Sequence, residues 1–336
     1  MKLASLKDGR DGRLLLVSRD MKRACFAGED VQTMQNALDD WANKAPVLEE
    51  RAKALENGGL KDFPFLPGNC AAPLPRAYDW IDASAYTSHG ELMQLSMGQQ
   101  PSAKADPFPL MYQGAGDDLL GPHDDIVLAD QAWGIDFEAE LGVILDDVPM
   151  GTLAGAAAPH VKLLTLINDI SLRNLQPREM ANGFGMLQSK PATAFAAIAI
   201  TPDEAGDAWD GRQLSITMTS TLRGEAFGRP SSGSGMRFKF DELIAHAAKT
   251  RRLGAGTILG SGTVSNAQPV ERARIDQGGV GFSCISELRA IEKILSGKGQ
   301  CPFMASGDRI RIEARDVREN SLFGAIDQSV RIVARH

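Results

Sequence analysis

Short strand-like runs dominate the chain beyond residue 130, and helices do not separate them at regular intervals. Residues 137–145, 161–167, 194–200, 214–222, 257–259, 310–313 and 329–333 all read as strands, whereas helical patterns in this half are few, mainly residues 240–248 and 286–295. A doubly wound parallel sheet needs a crossover helix between successive strands. The pattern therefore predicts a strand-rich α+β fold with a mixed sheet.

The first 75 residues carry a different pattern. Residues 2–6 and 13–17 are apolar runs joined by Asp8-Gly9-Arg10-Asp11-Gly12, the turn chemistry of a hairpin. From residue 30 to 55, Val31, Met34, Leu38, Trp41, Val47, Leu48 and Leu55 recur near helical spacing, and Pro46 is expected to divide the stretch into two helices. Residues 61–75 contain Pro64, Pro67, Gly68, Pro73 and Pro75 and read as an extended connection. A small α+β unit over 1–75 and a larger domain over 76–336 follow as the expected organisation.

Charge and cysteine usage narrow the functional classes. With 43 acidic residues against 36 basic ones, a net charge of −7 and no block of Lys or Arg, the chain lacks the electrostatic footprint of a nucleic-acid binder. Cys25, Cys70, Cys284 and Cys301 are too widely spaced for a zinc or redox motif and read as reduced structural thiols. The start is charged too early for a signal peptide, and no apolar run is long enough to span a bilayer. A cytoplasmic location without membrane attachment is the expectation.

Three segments bring acidic groups to the edges of apolar runs. In the run 134–145, a two-residue period puts Glu138 and Glu140 on one strand face. Such a pair either holds an oxygen-loving cation, Mg²⁺, Mn²⁺ or Ca²⁺, or faces water. Asp169 follows the apolar run 163–167. A helix starting there would align it with Arg173 and Gln176, either as a site or as a cap with an intrahelical ion pair. Asp82 and His89 stand seven residues apart, as a candidate ligand and a candidate base; a lone His is also commonly structural. The glycine-rich run 253–266 has no phosphate-loop pattern and reads as tight turns approaching a ligand, with Thr263 as its notable hydroxyl.

Taken in order, Asp82 with His89, Glu138-Ala139-Glu140, Asn168-Asp169-Ile170-Ser171-Leu172-Arg173 with Gln176, Lys190, Ser261-Gly262-Thr263, and Phe282-Ser283-Cys284-Ile285-Ser286-Glu287-Leu288 resemble the fumarylacetoacetate hydrolase family. The resemblance implies a mixed β-sandwich roll and a homodimer. It implies one divalent ion, Mg²⁺ or Ca²⁺, on Asp82, Glu138, Glu140 and Asp169, with Mn²⁺ left open by the same oxygen donors. It further implies a His89–Glu287 pair that activates water. Arg173, Gln176 and Lys190 would stabilise substrate oxygens and developing negative charge, and Tyr112 and Thr263 would contact substrate. The implied reaction is hydrolysis of a carbon–carbon bond in a 1,3-diketo acid such as fumarylacetoacetate or an acylpyruvate. Hydratase, decarboxylase, tautomerase or lyase chemistry on a small oxo acid is the alternative, and a non-catalytic metal- or metabolite-binding protein is a third reading. Thr87-Ser88 before His89, Met180 after Gln176, and Pro191-Ala192 after Lys190 depart from the family pattern and point to an altered substrate pocket.

Overall fold

The computed structural model describes residues 1–101 and 107–334. Among these, eleven strands form one sheet. Its order is Phe63–Pro64, Arg23–Phe26, Arg13–Val17, Lys2–Leu6, Ile198–Ile200, Val161–Asn168, Ala139–Leu145, Ile258–Gly260, Trp80–Ala83 and Met111–Gly114, with Ala194–Phe195 attached to Val161–Asn168. A second sheet runs Glu225–Gly228, Thr217–Leu222, Arg309–Arg315, Ser321–Ile332 and Ile126–Leu128.

Both faces of the large sheet are covered, which accounts for its unbroken apolar runs. Along Arg13–Val17, Leu14 and Leu16 enter one core while Leu15 and Val17 enter another. The first core is completed by Met34, Leu38, Leu48 and Leu55 from the N-terminal helices. The second is completed by Met218, Ile310, Ile312, Ile326 and Val330 from the five-stranded sheet. Helices, large sheet and second sheet thus stack in layers, the strand-rich α+β arrangement that the sequence predicts, with sheet packed on sheet as the family resemblance implies.

The expected N-terminal hairpin is present, with Lys2 opposite Val17 and Leu6 opposite Arg13. Its outer neighbour is Ile198–Ile200, so these strands continue the sheet that carries the acidic residues. Three local expectations need correction. The helices are Met34–Asp39 and Trp41–Glu56, and the break falls at Asp40 (φ −140°, ψ 46°) rather than at Pro46. Pro46 sits in the second turn of the longer helix, where it removes a single backbone hydrogen bond. The run 137–145 is shortened: the long strand starts at Ala139, and Ile135–Asp136 just before it pairs separately with Ser171–Leu172. That same pairing keeps a helix from starting at Asp169; the next helix is Gln176–Asn182. Among the described residues no helix is long and apolar enough to cross a membrane.

Candidate active site and metal centre

Adjacent strands of the large sheet bring the acidic residues together. Asp82 lies in register with Gly260, and Gly260 with Gly142, two residues beyond Glu140. Glu140 stands opposite Ile167, just before Asp169. Carboxylate oxygens of Asp82, Glu140 and Asp169 lie within 4.8 Å of one another, and all three residues are buried. The glycines make this approach possible. A Cβ on Gly260 would fall 2.3 Å from Asp82 Oδ1, and one on Gly262 (φ +76°) 2.2 Å from the Ala83 carbonyl. The Gly262 N–H instead donates to Asp82 Oδ1 at 3.1 Å. Close approach, as expected of the 253–266 run, is what these glycines provide.

Glu138 lies beside this trio and is tied to cations. Its Oε1 accepts from Arg173 Nη2 at 2.7 Å, and its Oε2 accepts from Lys190 Nζ at 2.6 Å and from the Ser171 hydroxyl at 3.2 Å. Lys190 Nζ also donates to Asp169 Oδ2 and stands 5.1 Å from the centre of the Tyr112 ring. The Tyr112 hydroxyl donates to Asp169 Oδ2 at 2.7 Å. Arg173 does not pair with Asp169; its Nε donates to Asp136 at 2.8 Å and its Nη1 to Gln176 Oε1 at 3.3 Å. Thr263 is buried in the loop after Gly262, next to Val264, whose N–H donates to the Ala139 carbonyl at 3.1 Å.

Burial raises the pKa of a carboxyl group, and neighbouring carboxylates raise it further. Burial and then Asp169 push Asp82 up to about 8. Burial followed by Asp82 and Asp169 holds Glu140 well above the usual carboxylate range. At Asp169 burial raises the value while Lys190 opposes it. Burial works the same way at Glu138, yet Arg173 and Lys190 outweigh it and hold Glu138 well below the usual range. Lys190 is desolvated too, but Asp169 and Glu138 keep it protonated.

The trio fits a hard divalent cation. Neither carboxylate oxygen of Glu140 has a hydrogen-bond partner among the described residues, although both are fully buried. Buried charge without a partner is costly, and an oxygen-only donor set of this size suits Mg²⁺, Mn²⁺ or Ca²⁺. Asp82, Glu140 and Asp169 are the residues whose oxygens converge; Glu138 is adjacent and engaged by Lys190 and Arg173.

His89 and Glu287 come from two helices, Thr87–Ser96 and Ile285–Ser296. They meet with His89 Nδ1 3.1 Å from Glu287 Oε1, and their side chains are 16% and 3% exposed. A helical pattern alone gives Glu287 no reason to be buried; the contact supplies it. Asp136, absent from the sequence reading, joins the two halves of the site. Fully buried, it accepts from the Ile285 and Ser286 N–H groups at 2.7 and 3.0 Å, where the Glu287 helix begins, and it also holds Arg173. Thr193 was likewise missed: its hydroxyl donates to Asp169 Oδ1 at 2.8 Å and accepts from Trp80 Nε1 at 3.1 Å. The one signal for Asp136 is its place two residues before Glu138; nothing in sequence spacing marks Thr193.

Comparison with known proteins adds a family to this geometry. Residues 80–331 match the family model described as fumarylacetoacetate (FAA) hydrolase C-terminal, and residues 1–76 match the fumarylacetoacetase N-terminal domain 2 model. A mitochondrial oxaloacetate tautomerase of Homo sapiens is 26% identical over 158 residues, covering 46% of this chain and 48% of that protein. Two solved structures share the fold across essentially the whole chain. A fumarylacetoacetate hydrolase from Exiguobacterium antarcticum has a TM-score of 0.66 at 16% identity, covering 99% of this chain and 100% of that one. A maleylpyruvate hydrolase from Sphingobium, in complex with manganese(II) and pyruvate, has a TM-score of 0.64 at 17% identity, covering 100% of both.

Proposed function

We propose, from the premise that this chain belongs to the fumarylacetoacetate hydrolase family, that it is a divalent-metal-dependent hydrolase cleaving a carbon–carbon bond in a 1,3-diketo acid. The family is one of enzymes acting on oxo acids, hydrolases together with isomerases and tautomerases. The observation that carries the hydrolytic reading is the His89–Glu287 contact beside a buried, cation-seeking carboxylate trio.

A divalent ion on Asp82, Glu140 and Asp169, with Glu138 adjacent, would hold and polarise the substrate's oxygens. Manganese(II) in the Sphingobium relative supports a divalent metal here, with Mn²⁺, Mg²⁺ and Ca²⁺ all matching the donor set. When Nδ1–H of His89 donates to Glu287, Nε2 is left free to accept a proton from water, and the carboxylate stabilises the imidazolium that results. The hydroxide adds to one carbonyl carbon. Lys190, Arg173 and Gln176 stabilise the negative charge that develops on its oxygen, and Tyr112 and Thr263 orient the remainder of the substrate. Cleavage sends the bonding pair to the departing carbon, which takes up the proton held by His89. One carboxylic acid and one oxo acid leave.

The test is a panel of fumarylacetoacetate, acylpyruvates and oxaloacetate, incubated with Mn²⁺ or Mg²⁺ and with chelator, with products identified by mass. Metal-dependent appearance of two acids from a dione supports the reading; an intact dione in every case contradicts it. A tautomerase is the second reading, favoured by the oxaloacetate tautomerase relative and by the ability of the same His89–Glu287 pair to carry a proton between carbon and oxygen without water. It predicts enol–keto conversion with no change in mass.

A further inference from the structure

We propose that His89, Cys284 and Glu287 form a second metal site, for a borderline or soft ion of the Zn²⁺ class, distinct from the oxygen-only trio. Their ligand atoms lie within 4.8 Å of one another. Cys284 is fully buried and stands immediately before the Ile285–Ser296 helix that carries Glu287. An imidazole nitrogen, a sulfur and a carboxylate oxygen are each zinc ligands, and three protein ligands leave a fourth position for water. The trio offers hard oxygens alone. The two clusters are therefore expected to sort ions by softness, with Mg²⁺ or Mn²⁺ at the first and Zn²⁺ at the second.

Access and a second polar observation support the assignment. A cavity of about 130 Å³, lined by Ser88, Leu92, Ser265, Phe282 and Glu287, opens at the Glu287 side of the cluster. The Ser88 hydroxyl on that cavity is buried and has no hydrogen-bond partner among the described residues, as is also true of the hydroxyl of Ser283, next to Cys284. Polar groups left this way ordinarily have a water or ion to meet. On binding, the Cys284 S–H bond breaks, its electron pair forms the S–Zn bond, and the proton goes to solvent. The ion then occupies the imidazole and carboxylate that the proposed proton transfer needs, so Zn²⁺ inhibits enzyme already loaded with Mn²⁺. This inhibitory consequence rests on the function proposed above; the binding does not.

Cobalt(II) tests the binding directly, because cobalt bound to a thiolate gives a near-ultraviolet charge-transfer band that cobalt on oxygen ligands lacks. Titration of the full chain is expected to give this band in the wild type and in Asp82→Asn, and to lose it in Cys284→Ala. His89→Gln keeps the thiol and is expected to weaken cobalt affinity by roughly tenfold or more. No band in folded wild-type protein, or a band that persists in Cys284→Ala, overturns the proposal. Should Cys284→Ala fail to fold, His89→Gln decides, and wild-type affinity in that variant overturns it. Failure of the proposed catalytic reaction leaves this readout intact.

Discussion

Both carboxylate oxygens of Glu140 lack a hydrogen-bond partner among the described residues, with Asp82 and Asp169 close by. Glu140→Gln removes the ionisable carboxyl group while keeping the shape. The metal-free variant is expected to melt no lower than wild type near neutral pH, while its Mn²⁺ affinity falls by roughly tenfold to a hundredfold. Calorimetric titration and thermal melts of the stripped proteins check both halves; unchanged affinity contradicts the ligand assignment. His89→Ala is expected to lower kcat by roughly 10²- to 10⁴-fold, the usual contribution of a positioned general base, with Mn²⁺ binding at the trio retained. Full activity in that variant sinks the base assignment. At this scale the candidate residues were legible mainly through their order along the chain. Residues 82, 138, 140 and 169 sit at the margins of apolar runs, where a carboxylate stands out. Asp136 and Thr193 escaped because their roles depend on which backbone N–H groups and which Asp169 oxygen they meet, relations between segments 149 and 24 residues apart.

Element by element, the strands were the readable part of the fold, because a strand covered on both faces needs an unbroken apolar run and the run itself is visible. The errors fell where pairing partners decide. Ser171–Leu172 forms a short pair with Ile135–Asp136, overriding the helix expected from Asp169, and the long strand starts only at Ala139. Asp40, rather than the proline, breaks the N-terminal helices, because the helix tolerates Pro46 in its second turn. The strand Ile258–Gly260 shows the same dependence on neighbours, since Gly260 is there to admit the Asp82 carboxylate and the Trp80 ring. Gly260→Ala places a Cβ 2.3 Å from Asp82 Oδ1 and 2.6 Å from Trp80 Cη2. The expected result is about 1–3 kcal/mol of lost stability together with roughly tenfold or more weaker Mn²⁺ binding, measured by denaturant unfolding and metal titration. Wild-type metal affinity in this variant contradicts the account of how the strand serves the site.

For the whole molecule, the buried acidic centre couples stability to pH. Asp82 keeps its proton up to about pH 8 in the metal-free fold, whereas the unfolded chain gives it up in the ordinary carboxylate range. The folded state therefore holds more protons across that window, and this contribution to stability is lost as pH rises toward 8. A bound divalent ion requires the deprotonated carboxylates, so the difference in Tm between Mn²⁺-loaded and stripped protein is expected to widen from about pH 5 to about pH 8. A gap that is constant or narrows over that range contradicts the charge accounting. The same layered sheet that buries these acids continues into the N-terminal strands through the Lys2–Leu6 to Ile198–Ile200 pairing, so the first residues of the chain extend the sheet that carries the site. The most direct test of the central claim is metal-dependent turnover of an acylpyruvate in ¹⁸O-labelled water. Cleavage to two acids is expected, with one labelled oxygen in the newly formed carboxylate, abolished by chelator. Recovery of uncleaved substrate with Mn²⁺ demonstrably bound would contradict that claim.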